Sequence, residues 1–332
     1  MPELPEKLKL AIYWGAACGG CDIAILRIDE KLLELAEIAD IIFWPAAMDY
    51  KYEDLKGMED KSIDVAVFNG AVRNSENEHM AKLLRNKSRI MVAYGSCACE
   101  GCVIGLANLW SKDELLQRVY HEDSGTVNPQ RVTPQTRLSV NGNELTLPSL
   151  HDNVKPLHQV VDVDYFVPGC PPEAELTGQL VDILSSYVST GELPPKGTVI
   201  ASQKVLCYEC PRERGEKAID KIYRFHEIEP DPEKCLLDQG IVCMGPATRG
   251  GCKARCINVN IPCTGCMGGP EDIDQGTAMA NAVASVLGVE VDDSEVDEVI
   301  NQIKDPIGTF YLYSFPVSLL DRVKRRGGIK NE

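Results

Sequence analysis

No run of about 18 apolar residues occurs in this 332-residue chain, so no helix is expected to cross a membrane. Basic residues are also scarce. Lysine and arginine number 34 against 50 aspartates and glutamates, a formal net charge of −16. A nucleic-acid surface needs a basic patch, and an anionic membrane attracts one, so both are disfavoured as partners. The charge reads as ordinary solubility. The start, MPELPEKLKLAIYW, lacks a basic stretch followed by an apolar one and lacks paired arginines. No export signal is expected from this chain, although a partner can carry one, and the expected compartment is the cytoplasm.

What the chain has in excess is cysteine, 14 in all. In a reducing compartment that number points to metal ligands rather than disulfides. Twelve fall into three sets of four: Cys18, Cys21, Cys97 and Cys170; Cys207, Cys210, Cys235 and Cys243; Cys252, Cys256, Cys263 and Cys266. Four thiolates complete one [4Fe–4S] cube, so twelve suit three cubes. A chain holding three such centres is expected to move electrons one at a time along a line.

The length allows two domains. Apolar runs at 8–14, 41–44, 64–70, 89–95 and 164–169 read as strands, and 22–39, 75–86 and 173–188 as helices. Buried strands alternating with helices predict a doubly wound parallel α/β sheet, flavodoxin-like in order, over residues 1–190. Segment 110–162 interrupts the pattern, and an Asn-Gly pair within RLSVNGNELTL (137–147) predicts an inserted hairpin. Residues 191–332 are expected to form an irregular iron–sulfur domain with a helical tail. Its cysteine-dense part, up to about residue 270, looks too poor in apolar residues for a core of its own, so metal binding and folding are expected to be coupled. Cys18 and Cys21 follow the first strand, Cys97 the fourth and Cys170 the fifth, and strand C-terminal ends share one ligand-binding edge in such sheets.

CYEC (207–210) and CTGC (263–266) are each weak signals alone. With four further cysteines between them they point to metal. Four-cysteine zinc uses the same ligands and stays open. Proline after Cys170 and Cys210, and glycine turns able to aim N–H groups at sulfur, favour iron–sulfur.

The motifs WGAACGGCD (14–22), FNGAVRNSENEH (68–79), YGSCACEG (94–101), VDYFVPGCPP (163–172), LCYECPR (206–212) and CLLDQGIVCMGPATRGGCKARC (235–256) resemble the small subunit of [NiFe] hydrogenases. Within that family the chain is similar to the cytoplasmic, methyl-viologen-reducing type, also called coenzyme F(420)-non-reducing. The resemblance implies an oxidoreductase complex in which this chain relays electrons from a nickel–iron site on the large subunit. It implies a proximal [4Fe–4S] cluster on Cys18, Cys21, Cys97 and Cys170. A medial cluster would lie on Cys252, Cys256, Cys263 and Cys266, and a distal one on Cys207, Cys210, Cys235 and Cys243. Cys256 stands where many respiratory relatives have proline, and Cys207 where they have histidine. The implied outlet is a [2Fe–2S] delta-type subunit and then a heterodisulfide reductase-type complex. The small subunit of a deazaflavin-reducing or sulfur-reducing hydrogenase is the alternative, and a zinc-stabilised binding module the alternative outside the class. Close relatives usually have histidine and glycine where this chain has Cys99 and Cys102. Cys102 matches one of two extra cysteines beside the proximal cluster of oxygen-tolerant enzymes, while the second position is Gly20. Cys99 and Cys102 are therefore candidates for extra ligands on a modified proximal cluster, with core packing as the competing role.

Overall fold

The computed structural model describes residues 7–123, 125–215, 219, 221–286, 298 and 301–321. The acidic stretch VEVDDSEVDE (289–298) and the basic end RVKRR (322–326) read from sequence as solvated faces, and apart from Glu298 they lie outside the described residues. Along the chain come β1 (Leu8–Trp14), α1 (Gly20–Leu26), α2 (Lys31–Ile38), β2 (Ala39–Phe43), α3 (Tyr52–Gly57), β3 (Ile63–Asn69), β4 (Val72–Asn74), α4 (Ser75–Lys87), β5 (Ser88–Tyr94) and α5 (Ser96–Glu100). Then follow α6 (Lys112–Gln117), β6 (Arg137–Val140), β7 (Asn143–Thr146), β8 (Leu150–Lys155), β9 (Tyr165–Val167), α7 (Ala174–Thr190), β10 (Thr198–Val199), α8 (Arg255–Asn258), α9 (Gln275–Val286) and α10 (Pro306–Phe310).

Six parallel strands form one sheet in the order β10-β9-β5-β3-β1-β2. The five expected strands take the flavodoxin-like order. The sixth, β10, was too short to read from sequence; it pairs with β9 through Thr198 and Val199, beyond residue 190. β3 is buried at every position, as a central parallel strand should be. Alternate residues feed two cores. Leu10, Ile12, Val65, Val67 and Val92 pack under α1, α2 and α7. Ala11, Tyr13, Ala66, Phe68 and Met91 pack on the opposite face with Met80 and Leu84 of α4. The Asn74 side chain accepts the Asn77 N–H at 2.8 Å and caps α4, and Arg85 and Lys87 suit its C-terminal dipole. Buried Asp164, just before β9, takes Arg85 at 2.6 Å, Lys196 at 2.8 Å and the Met91 N–H at 2.8 Å, fastening β9 to β5 and to the segment before β10.

Three details depart from expectation. The helix expected over 22–39 is two helices, because Asp29 sits at φ 52 between them. Aspartate tolerates that left-handed conformation, and the break still lets Ile25, Ile28 and Leu35 share one core. The insertion does contain the hairpin, with Asn141 and Gly142 at φ 53 and 81 in the turn between β6 and β7. It also contains β8, which pairs antiparallel with β4. Finally, the cysteine-dense region does have an apolar core. Leu206, Leu236, Leu237, Ile241 and Ile257 bury against Met279, Val283, Phe310 and Phe315. The tail supplies five of its seventeen buried residues, which a reading confined to 200–270 could not see.

Candidate metal centres

All 14 cysteines are free of disulfides. The first set gathers where β1, β5 and β9 end. Cys18 lies exposed in the loop after β1, and Cys21 is buried in α1. Cys97 opens α5 just after β5, and Cys170 lies exposed after β9. Gly95 joins β5 to α5 at φ +84, and a Cβ there would stand 2.3 Å from Cys21 Sγ, so only glycine leaves that thiol its place. Burial pushes the Cys21 thiol well up, and the thiols of Cys170, Cys18 and Cys102 add to the shift.

The two extra cysteines part company. Cys102 Sγ is 3.7 Å from Cys170 Sγ. The Cys170 contact pulls its thiol down, but the Cys97 contact and burial win and push it up to about 12. Cys99 turns the other way. It is buried among Ala93, Ala98 and Met91, with its Sγ on the Ala93 carbonyl at 3.4 Å.

The second set surrounds the turn Leu206–Tyr208. Burial pushes the Cys207 thiol up to about 11, against Arg214, with Cys243, Cys235 and Cys210 contributing in turn. Cys243 Sγ accepts the N–H of Gly245 and that of Cys263, the latter at 3.4 Å.

The third set lies between the other two. Cys252 Sγ accepts the N–H groups of Ala254 and Arg255. Lys253 and Ala254 sit at φ 54 and 52, a left-handed turn that brings the chain back over the Cys252 sulfur. The Glu209 carboxylate braces the loop, accepting from Gly251 N–H at 2.7 Å and Lys253 N–H at 2.9 Å. Burial pushes Cys266 up to about 12, eased by the Cys170 N–H and raised further by Cys252, Cys170 and Cys256. Burial also raises Cys263, whose first neighbouring charge is Cys243 and whose sulfur takes the Gly265 N–H. The glycine turns expected to aim N–H groups at sulfur do so at Gly245 and Gly265.

The three sets therefore meet end to end. Cys170 of the first touches Cys266 of the third, and Cys263 of the third touches Cys243 of the second. Among the described residues no three histidine, cysteine or acidic side chains converge closely enough to grip a single ion. A cube asks for something different, one thiolate on each of four separate irons. Grouped thiols, N–H donors aimed at sulfur and the space kept at Gly95 fit such a group.

Sequence reasoning missed the residues that hold the first set in place. Buried Asp22, next to Cys21, accepts the Trp44 Nε1–H at 2.7 Å and an Asn69 amide N–H at 3.2 Å. It thereby ties α1 to the ends of β2 and β3. The only signal was the aspartate closing the WGAACGGCD motif.

A doubly wound sheet with one cysteine group at its strand ends and two more in the segment that follows marks an oxidoreductase subunit of the iron–sulfur kind. Residues 18–184 match the family described as NADH ubiquinone oxidoreductase, 20 Kd subunit. The iron–sulfur subunit of the F420-non-reducing hydrogenase of Archaeoglobus profundus is 40% identical over 95% of this chain and 98% of its own length. Its counterpart in the F420-non-reducing hydrogenase of Methanothermobacter marburgensis is 38% identical over 98% of this chain and its full length. The chain belongs to this family of F420-non-reducing hydrogenase subunits, and is thus a small subunit of an oxidoreductase complex. A [NiFeSe]-hydrogenase of Dm. baculatum covers 81% of this chain and 97% of its own at 17% identity and a TM-score of 0.50, a likeness of fold.

Proposed function

We propose that this chain is a three-station electron relay. Cys18, Cys21, Cys97 and Cys170 would hold a proximal [4Fe–4S] cluster, Cys252, Cys256, Cys263 and Cys266 a medial one, and Cys207, Cys210, Cys235 and Cys243 a distal one. Bound there, the clusters would supply one-electron transfer. The protein's part is to hold four thiolates per station, to aim N–H groups at sulfur and to keep water away. The single observation that carries the reading is the unbroken series of cysteine contacts, from Cys170 to Cys266 and from Cys263 to Cys243. It supports a path with the third set in the middle, although that set is last in sequence.

The exposure of Cys18 and Cys170 supports a first station at the surface that would receive a large [NiFe] subunit. Electrons would leave near Cys207 towards a [2Fe–2S] delta-type subunit and a heterodisulfide reductase-type complex, in the cytoplasm. Among the described residues no helix is long and apolar enough to cross a membrane.

Buried thiols raised as these are must lose protons when metal binds, so loading should improve as pH rises. The deciding experiment is metal and sulfide analysis of the purified native complex after subunit separation without oxygen. About twelve iron and twelve sulfide per chain are expected. Zinc without sulfide would overturn the relay.

A further inference from the structure

A cavity of about 400 Å³ opens between the end of α5, the loop that follows Cys266 and the turn Phe315–Val317, and no cysteine lines it. Its deepest charged residue is Arg249, 6% exposed. The backbone N–H of Arg249 donates to the Gly268 carbonyl at 2.9 Å, and its Nη2 donates to the Gly269 carbonyl. Nε and Nη1 have no hydrogen-bond partner among the described residues. Ser314, 3% exposed, lines the same space, and its Oγ also lacks a partner. Glu100 borders the cavity, packed so closely on Gly268 that a Cβ there would come within 2.3 Å of Oε1.

A buried guanidinium with most of its donors unused is costly, and an acceptor-only anion relieves that cost. The rim has the opposite sign. Glu271 and Asp272 stand exposed at the mouth. Asp274 is already engaged, accepting from the N–H groups of Thr277 and Leu319 and from the Tyr311 hydroxyl. Arg249 is the one cation among the described lining residues and sits beneath an anionic rim, an arrangement that repels a dianion and favours a ligand with one charge of each sign.

We propose that this cavity binds a small zwitterionic carboxylate of the amino-acid class. Its carboxylate accepts from the free N–H groups of Arg249 and from the Ser314 hydroxyl, and its ammonium group faces Glu271 and Asp272. The site is separate from the three thiol groups. No cysteine lines the cavity, so its occupancy is read apart from the relay.

Calorimetric titration of the native iron-loaded complex with glycine, acetate and methylammonium tests this. Glycine should bind with a dissociation constant on the order of a millimolar, acetate about tenfold more weakly, and methylammonium not at all. Arg249→Gln should abolish glycine binding, and Glu271→Gln with Asp272→Asn should reduce it to the level of acetate. Hydrogen-driven viologen reduction and iron content should stay unchanged in the rim variant. If Arg249→Gln does not assemble, Ser314→Ala and the rim variant decide, since neither residue supports the backbone. No glycine binding at about 50 mM, or equal binding to the wild type and to whichever of these variants assembles, overturns the proposal. Equal affinity for glycine and acetate overturns the zwitterionic preference.

Discussion

Asp22 offers a direct way to loosen one thiol group without touching a thiol. Its two carboxylate oxygens hold Trp44 at 2.7 Å and Asn69 at 3.2 Å, and all three residues are buried. Hydrogen bonds to a charged group contribute about 1.5–3 kcal/mol each. Asp22→Ala removes both and leaves two buried donors unpaired, so a loss of about 3–5 kcal/mol is expected. Asp22→Asn keeps the shape and one acceptor oxygen but turns an N–H toward a donor, for about 1.5–3 kcal/mol. In a domain of this size each kcal/mol moves the melting point by about 2–4 °C, so the asparagine variant should melt about 3–12 °C lower. The functional effect follows from position. Asp22 is the neighbour of Cys21 in α1, so the loop from Cys18 to Cys21 should open and release iron from the first station before the other two. Melting curves, iron content and EPR of the reduced complex read this together. A melting point within about 1 °C of wild type, with full iron, would refute the idea that this triad anchors the proximal loop.

Other outcomes follow from the same geometry. Cys256→Pro should turn the medial cube into a three-iron cluster with a raised potential, because one thiolate charge is lost; an unchanged EPR spectrum of the oxidised protein would remove Cys256 from the ligand set. Cys102→Gly should alter the redox titration of the proximal station, since Cys102 Sγ lies beside Cys170, whereas Cys99→Ala should only lower stability, by about 1 kcal/mol of lost packing. Identical titrations of the Cys102 variant and wild type would leave both as packing residues. Removing iron should make residues 200–270 the first site of limited proteolysis while the sheet survives, because Cys243 and Cys263 lie inside that region's core; equally fast cleavage of the sheet would contradict this.

The sheet was legible because its strands are buried on both faces and read as continuous apolar runs. LKLAIYW became β1 and DVAVFNG most of β3. The grouping of Cys18, Cys21, Cys97 and Cys170 was legible for a related reason, since strand ends in such a sheet share an edge. β10 was hidden because two residues carry no period. The second core was hidden because its two parts, around Leu236 and around Phe310, lie far apart in sequence. The different fates of Cys99 and Cys102 were also out of reach. Three residues apart on one short helix and its exit, they face a sheet core and a thiol group respectively, and only the direction of the Sγ atoms separates them. Arg249 gave no signal beyond its motif, because an unpartnered donor is a property of packing.

The central claim is that electrons cross this chain through three stations in order. Its most direct test is Cys210→Ala in the native complex, with hydrogen–deuterium exchange and reduction of the physiological acceptor measured on the same preparation. The account predicts that exchange on the partner subunit continues, that hydrogen still reduces the proximal and medial stations, and that reduction of the acceptor is lost. Acceptor reduction at the wild-type rate with the distal station gone would contradict it.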